Sequence, residues 1–141
     1  MLFNTTYRNE DYLRESKKMV GKPFSLFEIL KMGSIGSSRL VIKEFSENLH
    51  PKQHINSELN YANIELRPKG IIVHFTDRLE RYAWVIPYYR LVIYSAQTFS
   101  IHAGGNVIKF AKNKNYRSNK TFIDKMIRIK NEFLNLGYYD G

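Results

Sequence analysis

The chain has 141 residues, of which 43% are hydrophobic and 14% aromatic, with a net charge of +9 and no cysteine. That length suits one domain with one core, and the apolar content exceeds what a disordered chain carries. The cysteine count excludes disulfides, thiolate metal sites and a cysteine nucleophile; the polar start from Met1 to Asp11 and the lack of a long apolar run predict a soluble, cytoplasmic protein.

No repeat or low-complexity tract divides residues 1–141, read as a single domain whose halves join near His50 and Pro51. Residues 1–50 read as helical. Asn9 to Val20 places Glu10 and Asp11 early and Lys17 and Lys18 late, the polarity that a helix dipole favours, before Gly21 and Pro23 stop it. Ser25 and Glu28 stand at capping-box spacing ahead of Ile29 and Leu30, and Gly33 can end that short helix. A third helix is expected from Ser37 or Ser38, with Val41, Ile42, Phe45 and Leu49 on one face; Leu40 to Ile42 also suits a strand.

From Tyr61 the period changes to two. Ala62, Ile64 and Leu66 alternate with Asn63, Glu65 and Arg67, and the turn Arg67 to Gly70 leads into a return strand, Ile71 to Thr76. Further strands are expected over Glu80 to Ile86, Arg90 to Tyr94, Phe99 to Ala103 and Val107 to Ala111, the last two joined at Gly104 and Gly105, for six in all. Ser118 or Asn119 can then cap a helix whose Phe122, Met126, Ile129, Phe133 and Leu136 recur at helical spacing up to Gly137. An apolar helix face that wide needs a cover, and the meander supplies it.

The segments IELRPKGIIVHF, ERYAWVIPYYRLVIY and FSIHAGGNVIKF, followed by the helix FIDKMIRIKNEFL, give residues 61–136 an order that resembles bacterial pleckstrin-homology-like domains. The resemblance implies an α+β fold, with an antiparallel barrel or strongly twisted sheet capped by the C-terminal helix and preceded here by short N-terminal helices. Members of that family have seven strands, so one more must come from before Tyr61 or from a register read differently. The phosphoinositide binders among them cluster lysine and arginine in the first strand loop, where this chain has only Arg67 and Lys69.

Charge marks the candidate site. Between Lys109 and Lys130 eight basic residues face one acid, Asp124, so that +7 of the +9 lies there. Lys109, Lys112, Lys114, Arg117 and Lys120 form an acid-free stretch interleaved with Phe110 and Tyr116. Two readings stand: a footprint for phosphate groups, or a solvated loop whose lysines shield a sheet edge. His50 and His54 have the i, i+4 spacing of metal ligands, yet Pro51 separates them and no cysteine or nearby carboxylate completes a set, so no metal is expected. His74 and His102 fall opposite the apolar strand face. Gly33 to Gly36 reads GxxG, the form of a KH-domain clamp, but carries Ser34 and Ile35 where those loops are basic, and it lacks a P-loop ending. Tyr82, Trp84, Tyr88, Tyr89 and Tyr94 read as core filling or as a base-stacking platform.

The expected function is a non-catalytic binding module that contacts an anionic partner, lipid headgroups or an acidic protein, through the stretch 109–120, without a cofactor. The alternative is a nucleic-acid-binding domain using the same charges with Tyr88, Tyr89 or Tyr116 as stacking groups. An enzyme without a recognisable motif comes third.

Overall fold

Eight antiparallel strands in one sheet, with helices on both sides, make up the described part of the computed structural model, which covers residues 1–46, 49, 60–77 and 79–135. In chain order the elements are β1 (Leu2–Asn4), α1 (Glu10–Val20), α2 (Leu26–Met32), β2 (Leu40–Phe45), β3 (Asn60–Arg67), β4 (Gly70–Asp77) and β5 (Glu80–Pro87). A 3-10 turn (Tyr88–Arg90) leads to β6 (Val92–Ser95), β7 (Phe99–Ala103), β8 (Asn106–Phe110), α3 (Lys114–Ser118) and α4 (Lys120–Phe133). The spatial order is β1-β5-β4-β3-β2-β8-β7-β6. The sheet is open, with β1 and β6 as its edges, so the expected barrel closure does not occur among the described residues. What holds is the coarser architecture: an α+β fold with an antiparallel sheet and a C-terminal helix.

Local signals explain most boundaries. The Asn9 side chain accepts from the Tyr12 N–H at 3.0 Å, and Gly21, at φ 89°, closes α1 with its N–H on the Lys17 carbonyl. In α2 both halves of the capping box form, Ser25 Oγ accepting from the Glu28 N–H and the Glu28 carboxylate from the Ser25 N–H.

The third helix expected from Ser37 or Ser38 is instead strand β2. Val41 and Ile42 are β-branched, and pairing with β3 on one side and β8 on the other fixes the extended conformation. With β2 in place, seven strands run from Leu40 to Phe110, the seventh coming from before Tyr61. The eighth, β1, lies in the stretch read as merely polar. It pairs with β5 through Leu2–Trp84, Phe3–Ala83 and Asn4–Tyr82, and Met1 and Val85 exchange both backbone hydrogen bonds.

The main core lies between one sheet face and α4. Ile64, Leu66, Ile71, Trp84, Ile86, Phe99, Ile101, Ile108 and Phe110 are almost wholly buried there, against Phe122, Ile123 and Met126. Each such side chain contributes about 1.5–3 kcal/mol on burial. The expected packing of the closing helix on the meander is therefore present; Leu136 and Gly137 lie outside the described residues. Asn119 takes the expected N-cap position of α4, but its side chain makes no cap hydrogen bond. Ser118 Oγ donates to the Lys114 carbonyl, while Asn119 accepts from the Ser38 N–H at 2.9 Å and donates to the Ser38, Arg39 and Asn115 carbonyls. The side chain is spent tying the 38–39 backbone to the helix.

A smaller cluster sits on the opposite sheet face, where α1 lays Tyr12, Met19 and Val20 over Phe3, Ile72, Ala83 and Val85.

Candidate functional site

The five expected cations are spread over four pieces of structure: Lys109 on β8, Lys112 in the following loop, Lys114 and Arg117 on α3, and Lys120 on the first turn of α4. Internal partners engage three of them. Lys109 pairs with Glu44 at 3.2 Å across the β2–β8 ladder, and Lys112 lies over the Tyr116 ring, 5.5 Å from its centroid. Lys120 pairs with Asp124 at 2.6 Å, a bond that holds its ammonium above the ordinary lysine value. Lys114 and Arg117 have no carboxylate partner among the described residues, and both are exposed. The stretch therefore presents less free charge than its composition suggests, centred on α3.

A second surface is formed by α2. No residue of α2 is buried, and Leu26, Phe27 and Leu30 are 80%, 67% and 83% exposed. Its register is set by the neighbours on either side, Phe24 and Ile35, which pack against the main core. At its C-terminal end the Lys125 ammonium donates to the Met32 and Ser34 carbonyls, and burial, then Arg128, pushes that group below the usual lysine value. Asn119 grips residues 38 and 39 of the same connection, so both ends of the segment after α2 are anchored to α4, six residues or about 9 Å apart along its axis. From Lys17 to Arg39 five basic residues (Lys17, Lys18, Lys22, Lys31, Arg39) face one acid, Glu28. Lys31 lies 4.8 Å from the centroid of the Phe27 ring. Sequence reading found this helix and its cap; that nothing covers it is a tertiary fact.

The third feature is the part of the outer sheet face that α1 leaves open. Cross-strand registers line up polar residues there in two rows. Thr76 faces Arg81, with Tyr61 one position beyond the Ala62–Phe75 pair, and Asn63 faces His74. With Arg39 and Thr5 these residues line a cleft of about 470 Å³; Phe75 and Tyr82 also border it, but their rings are buried in the main core on the other face. Arg39 lies over the Tyr61 ring at 5.1 Å, and Asn63 donates one amide hydrogen to the Ser37 carbonyl. His74 Nε2 sits 2.8 Å from Glu65, whose other oxygen receives the buried Arg67 at 2.5 Å. Burial pushes the Glu65 carboxyl up, but the bonds to His74 and Arg67 outweigh it and leave it below the usual range. Strand alternation makes His74 and Asn63 legible as outward residues; the convergence of Arg39 and Arg81 depends on the fold.

The remaining candidates separate by burial. Tyr82, Trp84 and Tyr88 are core residues, and Tyr116 is 7% exposed, whereas Tyr89 and Tyr94 are exposed. His102 stands on the outer face against Tyr94 and Ser100, and burial, then Lys109, pushes its ring below the ordinary histidine value. In the GxxG segment Gly33, at φ 85°, closes α2, and Gly36 bridges to Glu65. His50 and His54 lie outside the described residues, and among those described no group of His, Asp and Glu is arranged to hold a metal. No helix among them is long and apolar enough to cross a membrane. Compared with known proteins, the chain matches no family model, no curated protein and no solved structure.

Proposed function

We propose that this chain is a non-catalytic binding module of pleckstrin-homology-like build that lies against an anionic bilayer surface. The observation carrying the reading is the exposed face of Leu26, Phe27 and Leu30 set among cations. Apolar side chains on a short helix gain by entering the headgroup boundary, and each nearby lysine or arginine adds about 1 kcal/mol against anionic lipid. Lys114 and Arg117, whose charge is not spent internally, Lys22 ahead of α2 and Lys31 in its last turn supply that attraction. A bilayer is preferred to an acidic protein because it takes apolar groups and cations together without needing a matching groove.

The build itself is supported by the seven strands β2 to β8 followed by a helix, the count that the resemblance implies. The nucleic-acid reading loses two of its three stacking groups, since Tyr88 and Tyr116 are buried.

Vesicle co-sedimentation tests the proposal, with phosphatidylcholine alone and with added phosphatidylserine, at low and high salt. Binding is expected only with phosphatidylserine, weakened by salt, and lost in both Lys114→Glu/Arg117→Glu and Leu26→Ser/Leu30→Ser. Failure to pellet with phosphatidylserine vesicles, or retention by a single-stranded oligonucleotide instead, overturns it.

A further inference from the structure

A separate site follows from the open part of the outer sheet face. Rows of neighbouring strands lie about 5 Å apart, so Tyr61 and Arg81 flank Thr76 across about 10 Å. Arg39, stacked on Tyr61, brings a guanidinium to one side of this span, and Arg81 brings another to the opposite side. Neither has a carboxylate partner among the described residues, and no carboxylate lines the cleft. The nearest acid on that face, Glu65, is already held by His74 and Arg67. Two uncompensated guanidinium forks beside one hydroxyl and one side-chain amide are matched to a small dianion with several acceptor oxygens. The Tyr61 ring adds an apolar wall, and about 470 Å³ is within the range of small-molecule sites.

We propose that this cleft binds a phosphate monoester of a small molecule, with Arg39 and Arg81 holding the phosphate oxygens and Thr76 and Asn63 donating to them. The organic part lies along the Tyr61 ring. The site is independent of the bilayer surface: it uses none of Leu26, Leu30, Lys114 or Arg117.

Backbone amide chemical shifts of the full chain provide the test, titrated separately with inorganic phosphate, phenyl phosphate and benzoate. Phenyl phosphate is expected to bind most tightly and to shift the amides of Tyr61, Asn63, Thr76 and Arg81. Because both arginines are exposed, Arg39→Gln and Arg81→Gln should fold normally and each weaken phenyl phosphate by about tenfold. The inference fails if those amides do not move, if the shifts fall only on residues 109–120, or if both variants bind as the parent does. Benzoate binding as well as phenyl phosphate reduces the cleft to a general anion patch and overturns the assignment. Inorganic phosphate binding equally well overturns the ester.

Discussion

Lys125 Nζ donates to the Met32 carbonyl at 3.3 Å, so a cation on the C-terminal helix closes the C-terminal end of α2, 93 positions earlier in the chain. Last-turn carbonyls lack partners within their own helix, and a lysine there satisfies one of them with favourable dipole energy. Since α2 buries none of its own residues, this contact and the packing of Phe24 and Ile35 are what hold it in register.

Lys125→Met keeps most of the apolar stem but removes the donor. Amides from residue 30 to residue 36 should then exchange about fivefold faster, near 1 kcal/mol of local stability, with little change in Tm. Hydrogen exchange read by mass spectrometry or NMR checks this, and unchanged exchange would show that the bond carries no weight.

Gly70 is required for packing rather than for an unusual backbone angle. A Cβ there would stand 2.3 Å from the Ile86 carbonyl oxygen and 2.5 Å from Val20 Cγ1, at the point where β4, β5 and α1 meet. Gly70→Ala should cost about 3 kcal/mol, because the nearest obstacle is backbone within the ladder and cannot rotate away. Urea unfolding monitored by circular dichroism measures the loss; an unchanged midpoint contradicts such close packing of the three elements.

Much of this fold is written locally, and what is not depends on long-range pairing. The Asn9 cap, the Ser25–Glu28 box, the alternation of Ala62, Ile64 and Leu66 and the helical stripe through Phe122 and Met126 each stand in a few neighbouring residues. Strand β2 defeats that kind of reading because Val41, Ile42 and Phe45 also fit a helical face, and the register shift between Ile42 and Glu44 breaks simple alternation. Strand β1 is too short to carry a period and exists through its ladder with β5. Of the basic stretch, the run of charge is plain in the sequence and the Lys120–Asp124 pair follows from i, i+4 spacing. That Glu44 neutralises Lys109 required knowing that β2 and β8 are neighbours.

The half-buried carboxylate of Glu65 gives the chain a defined response to acid. Burial raises its pKa, but the His74 and Arg67 bonds prevail and hold it below the ordinary 4.5. A carboxyl shifted this way contributes fully above its unfolded value, and the contribution disappears as pH falls through the lower folded value. Glu65→Gln should therefore lower Tm near neutrality and flatten the decline as pH falls below the ordinary carboxyl value of 4.5. Thermal melts across that decline check it; parallel acid limbs in parent and variant would remove Glu65 from the account.

The surface formed by α2 is the centre of the functional proposal, and its depth in lipid is measurable. The native chain has a single tryptophan, Trp84, which is 2% exposed and sheltered from lipid. Phe27 is 67% exposed, so Phe27→Trp adds an indole on the face proposed to enter the bilayer while leaving the core intact. With phosphatidylserine vesicles containing brominated acyl chains, emission from the introduced indole should be strongly quenched over the Trp84 background, and Lys114→Glu/Arg117→Glu in the same protein should reduce the quenching. Emission identical with brominated and unbrominated lipid would contradict the account.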